Sequence, residues 1–126
     1  MAIETVLLRG VSGLQEAVRL VDDALNGVGP HEQTALTFTD VPPDGILAEN
    51  PDIAFTASDA GPGNGWAVRV YVWDRGHTCE VRLRALGDIW ARTLWSGARG
   101  RPQLSRGRRV VTRVAQRLRA LDTEQG

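Results

Sequence analysis

The chain has 126 residues, 42% hydrophobic and 24% charged, with no net charge; this suits one soluble domain with a real core and is too short for two. Its single cysteine, Cys79, excludes an intrachain disulfide and accords with a reducing compartment. With neither a signal-peptide pattern nor a window long enough to span a membrane, the expectation is a cytoplasmic protein of bacterial type without membrane contact.

From the N-terminus, Ile3, Val6, Leu7 and Leu8 form a short apolar run closed by Gly10, the pattern of a strand buried on both faces. Ser12 followed by Gln15 has the form of a capping box. Leu14, Val18, Val21 and Leu25 then recur at helical spacing, and Asn26 with Gly27 supplies the stop. Gln33 to Thr39 alternates, with Leu36 and Phe38 on one side, which predicts a half-buried strand; the intervening helix permits a right-handed parallel crossover from the first strand. Residues 40–51 hold Pro42, Pro43 and the acids Asp40, Asp44 and Glu49, and read as a solvated connecting loop. Ile53 and Phe55 mark another strand, and residues 60–65 a glycine-rich turn.

Trp66 to Trp95 reads as three consecutive antiparallel strands. Trp66, Val68, Val70 and Val72, then Cys79, Val81, Leu83 and Ala85, alternate with polar and aromatic residues, which assigns the apolar set to the core. A turn centred on Arg75 and Gly76 pairs Val70 with Val81 and Val68 with Leu83, keeping both on one face. A three-residue turn at Leu86-Gly87-Asp88 pairs Leu83 with Ala91 and Val81 with Thr93. The second face then carries three rows: Tyr71, Glu80 and Leu94; Arg69, Arg82 and Arg92; Ala67, Arg84 and Trp90. Opposed like charges destabilise a sheet, so the arginine row is either neutralised by acids or solvated through its stems, or it forms a cationic surface flanked by Tyr71, Trp73 and Trp90.

Residues 98–103 are a basic linker. Ser105 is a plausible N-cap, and Val110, Val111, Val114, Leu118 and Leu121 form the apolar stripe of a closing helix. Arg106, Arg109, Arg113 and Arg117 line its opposite side, where like charges repel unless they face water or acids. Residues 1–121 are read as one domain and residues 122–126 as a fraying tail.

The charge balance is uneven. Residues 1–61 hold ten acids and two arginines, a balance of −8, and the remainder thirteen arginines and five acids, a balance of +8; there is no lysine. Such halves either neutralise each other or mark a basic surface. No catalytic, phosphate-cradling or metal-ligand pattern stands out. His77 and Cys79 share a strand face, and His31 precedes another, but three or four closely spaced ligands are missing and Cys79 falls on the core face. No cofactor or metal is expected.

The fold expected is α+β: a mostly antiparallel sheet of about six strands with both helices on one face, in two layers, order β-α-β-β-β-β-β-α. The function expected is a small non-catalytic binding or accessory module. Its partner would be a protein, including a second copy of itself, engaged through Arg69, Tyr71, Trp73, Arg82, Arg84, Trp90 and Arg92 or through a sheet edge. The alternatives are a nucleic-acid binder using this face or Arg106, Arg109, Arg113 and Arg117, and a small-ligand carrier or enzyme with a pocket between sheet and helices.

Overall fold

The computed structural model describes residues 3–29, 31–35, 51–59, 65–86 and 104–125. They form β1 (Ile3–Leu8), α1 (Leu14–Asn26), β2 (His31–Ala35), β3 (Ile53–Asp59), β4 (Ala67–Asp74), β5 (Cys79–Ala85) and α2 (Leu104–Gln125). The fold is α+β. Five strands, against about six expected, form one sheet in the order β1-β5-β4-β3-β2, and every neighbouring pair is antiparallel. β1 and β2 thus occupy opposite edges instead of pairing across the helical connection.

The apolar alternation drives this arrangement. Val6 and Leu8 of β1, Phe55 and Ala57 of β3, Val68, Val70 and Val72 of β4, and Cys79, Val81 and Leu83 of β5 share one core with both helices. Ala17, Leu20, Val21, Ala24 and Leu25 enter it from α1, and Val110, Val111, Val114, Ala115 and Leu118 from α2. β1 departs from the expectation of burial on both faces: Thr5 and Leu7 point away from this core, and Leu7 is 47% exposed, as suits an edge strand with one covered face.

The β4–β5 hairpin corrects the expected register. Val70 pairs with Leu83 and Val72 with Val81, so the turn is centred on Gly76 and His77, one residue further on. Gly76 has φ +91°, whereas no non-glycine residue among those described has positive φ; glycine at the first central position is what a type II′ reversal requires. The carboxylate of Asp74 accepts the Gly76 N–H at 2.9 Å and steadies the turn. Moving the centre by one residue shifts each pair by two, so the two faces survive while the rows change. The expected pairing of Leu83 with Ala91 is also displaced. The second neighbour of β5 is β1, with Glu4 opposite Leu83; residues 88–95 lie outside the described residues, as do Leu36 and Phe38.

Helix ends differ in detail. α1 is preceded by Gly13, and its start is secured by Glu16 instead of Gln15: the carboxylate accepts the Ser12 hydroxyl at 2.6 Å and the Ser12 N–H at 3.3 Å. α2 begins before Ser105 and runs on through residues 122–125, which the sequence assigns to a tail. There Asp122 Oδ1 accepts the N–H groups of Arg9 at 2.9 Å and Gly10 at 2.7 Å. Arg119 reaches Glu4 at 3.4 Å and the Thr5 carbonyl at 3.3 Å, so the last turns of α2 are tied to β1.

Near its start α2 lies close to the sheet. A Cβ on Gly107 would stand 3.0 Å from Ala85 Cβ and 3.2 Å from the Ala67 carbonyl, which already accepts the Leu86 N–H at 2.9 Å. Replacing glycine by alanine in an open helix site gains up to about 1 kcal/mol. Gly107→Ala should instead lower stability by roughly 1–3 kcal/mol through overpacking, read from urea unfolding; a gain would show that the helix can shift outward.

A second expectation concerns Glu16. The Ser12 hydroxyl and then its backbone N–H hold the carboxylate below its ordinary value of 4.5, against a smaller upward push from burial. A lowered folded pKa contributes stability above the unfolded value and loses it as pH falls through the folded one. Ser12→Ala should therefore move the Glu16 titration, followed by NMR, upward toward the ordinary value. An unchanged midpoint would remove this capping role.

Candidate functional site

Two arginine-bearing surfaces compete for the role, and the structure treats them in opposite ways. On the second sheet face, Thr56, Arg69, Arg84 and Ile3 form one row across β3, β4, β5 and β1; Ala54, Tyr71, Arg82 and Thr5 form the next. Trp73 lies opposite Glu80 beyond them. The expected row of Arg69, Arg82 and Arg92 is therefore corrected: Arg69 faces Arg84, and Arg82 faces Tyr71. Trp90 and Arg92 lie outside the described residues.

Exposure of this face is an open alternative in the sequence; in the structure Arg69, Tyr71 and Trp73 are each 2% exposed and Arg84 8%. Tyr71 and Trp73, 6.2 Å apart between ring centroids and tilted by 44°, pack with Ala54 as an apolar cluster separate from the main core. Burying two such rings is a large gain in itself, which explains why the face is closed despite its charges.

The charges at the hairpin end compensate one another. Glu80 accepts Arg82 Nε at 2.6 Å and Arg75 Nη2 at 3.3 Å. Both guanidiniums lie over the Trp73 indole, Arg82 at 4.5 Å and Arg75 at 5.5 Å from the ring centroid. A partly desolvated cation over an indole contributes roughly 1–2 kcal/mol, and the shared carboxylate offsets one of the two positive charges. Trp73 Nε1 and Thr56 Oγ1 are buried without a hydrogen-bond partner. The chemistry here is that of a largely buried ion-pair and aromatic cluster. Sequence reasoning missed Arg75 in it, because a one-residue displacement of the turn brings that side chain beside Glu80.

On α2 the opposite holds. Arg106, Arg108, Arg109, Arg113, Arg117 and Arg119 are all exposed, since the apolar residues at helical spacing occupy the other side. Arg119 is used by Glu4, whereas Arg108, Arg109, Arg113 and Arg117 have no ion-pair partner among the described residues. Arg113 and Arg117, with Gln116 and Ala120, form one wall of a groove of about 540 Å³ whose other wall is the end of α1 and the turn after it, at Ala24, Gly27 and Val28. No acid among the described residues lines it. Ala120 and Gln116 stand three or four residues from the arginines, a spacing legible in the sequence; the contribution of α1 was not.

His31 Nε2 lies 3.1 Å from Asp22 Oδ1, which also accepts Gln33 Nε2 at 2.8 Å, pinning the start of β2 to α1. β2 is three strands from β5, about 14 Å at ordinary strand spacing, so His31 cannot activate Cys79. His77 is exposed at the turn while Cys79 is buried. No three His, Cys, Asp or Glu side chains gather among the described residues, and no described helix is long and apolar enough to cross a membrane. Comparison with protein-family models, curated proteins and solved structures yields no match.

Burial, and then the carboxylates of Asp74 and Asp52, push the Cys79 thiol above its ordinary value, so the reactive thiolate is suppressed. Native protein at pH 8 should resist iodoacetamide and label only after unfolding in guanidinium; rapid labelling of the native state would reopen Cys79 as a nucleophile.

Proposed function

We propose that the protein is a small, non-catalytic, cytoplasmic binding module that engages a protein partner through the exposed arginine face of α2. The observation that carries this reading is the contrast between the two arginine sets. Those on the sheet are buried or paired with Glu80, while Arg109, Arg113 and Arg117 stand in water along one helix without an acid beside them. If the helices form one layer over the sheet, that face is an outer surface of the domain. A buried free thiol accords with a reducing compartment.

Sheet-edge pairing is the weaker route to the same function. Arg119 occupies the Thr5 carbonyl on the outer side of β1, which blunts that edge against another strand. Nucleic acid is also disfavoured. α2 carries no aromatic side chain on which a base could stack, Tyr71 and Trp73 are buried, and the sequence has no net charge.

The test is affinity enrichment with cross-linking, comparing the wild type with Arg109→Glu/Arg113→Glu. Both sites are exposed, so thermal melting should be nearly unchanged. A protein retained by the wild type should fall roughly tenfold or more with the variant. Equal retention by both, or retention that depends on nuclease-sensitive nucleic acid, would overturn the proposal.

A further inference from the structure

We infer that the groove between α1 and α2 receives an acidic helical segment of the partner, with carboxylates one turn apart and an aliphatic side chain between them. The inference rests on the binding-module reading and names the occupant of that surface. Three observations carry it. Arg113 and Arg117 stand on one wall, four residues apart, or about 6 Å along the axis. A second helix presents Glu side chains at positions i and i+4 with the same separation, and a guanidinium fork matches a carboxylate in two parallel hydrogen bonds.

The facing wall is small and apolar. Half-buried Val28, with Gly27 and the edge of buried Ala24, faces exposed Ala120 across a space of about 540 Å³, whose polar lining comes from Gln116 and the two arginines. A phosphate backbone gains nothing from such a wall, whereas a Leu or Ile side chain removes it from water. Electrostatically the described lining is one-signed: no carboxylate among the described residues lines the groove, and Arg109 extends the positive strip toward the start of α2. An interface of arginines around an apolar seat is the arrangement found where a few residues dominate binding.

The probe is a capped, fluorescein-labelled helical peptide with Glu at i and i+4 flanking one Leu, followed by anisotropy at low ionic strength. Binding should saturate, weaken as salt is added, and fall about tenfold or more with Arg113→Glu/Arg117→Glu, a change at exposed positions whose folding is checked by circular dichroism. Replacing the peptide Leu by Ala should weaken binding by roughly threefold to thirtyfold, as expected for one aliphatic side chain leaving an apolar seat. No saturable binding, equal affinity for the arginine variant, or equal affinity for the Ala peptide overturns the inference. Tighter binding of a labelled oligonucleotide of the same charge also overturns it, in favour of nucleic acid. If the peptide fails while the Arg109→Glu/Arg113→Glu variant still loses a protein partner in enrichment, the module reading stands and only the groove occupant is wrong; loss of both rejects both.

Discussion

Register in the β4–β5 hairpin is the constraint from which most of the structure follows. Gly76 at φ +91° places the reversal, and Asp74 holds it through the Gly76 N–H. Val70 then meets Leu83 and Val72 meets Val81, so the middle strand of the sheet offers a continuous apolar row to both helices. Because side chains alternate, a slip of one residue would turn the arginines toward that core. The same register brings Glu80 opposite Trp73 and within reach of Arg75 and Arg82, which closes the second face chemically as well as sterically.

The protein therefore handles its arginines in two ways. On the sheet, the Arg75 and Arg82 guanidiniums lie over an indole and share one carboxylate, while Arg69 and Arg84 are buried. On α2 the stems cover the helix surface while the heads remain in water. Arg119 is the link between the two regimes. It is exposed like its helix neighbours, yet it joins Glu4 and the Thr5 carbonyl and so helps anchor the helix to the edge strand.

Much of the fold is legible in the sequence, and the failures have physical causes. Period-two alternation identifies β4 and β5 and assigns every core residue on them, because one face must leave water. Helical spacing likewise finds both helices and the stripe from Val110 to Leu118. Register is less legible, since two turns one residue apart preserve the same faces and only a backbone dihedral separates them. Strand order is least legible. That β1 returns to lie beside β5, with Glu4 opposite Leu83 and α2 packed against both strands, is a long-range arrangement that no local pattern announces. Burial of the second face is illegible for a related reason: alternation says which residues share a face, not whether that face is covered.

The basic face of α2 is where an internal explanation runs out. Arg106, Arg109, Arg113 and Arg117 are neighbours at three- and four-residue spacing, and each such like-charge contact costs an isolated helix about 0.2–0.5 kcal/mol. Three contacts together cost on the order of 1 kcal/mol. The helix tolerates this because its other side is secured, by Val110, Val111, Val114 and Leu118 in the core and by Asp122 on the N–H groups of Arg9 and Gly10. Nothing in that packing requires arginine at 109, 113 or 117; any helix-forming polar residue would serve, with less repulsion. Arg109, Arg113 and Arg117 thus carry charge that no ion pair among the described residues uses, beside a groove that no described acid lines; under the proposed reading an acidic partner would turn that repulsion into binding energy.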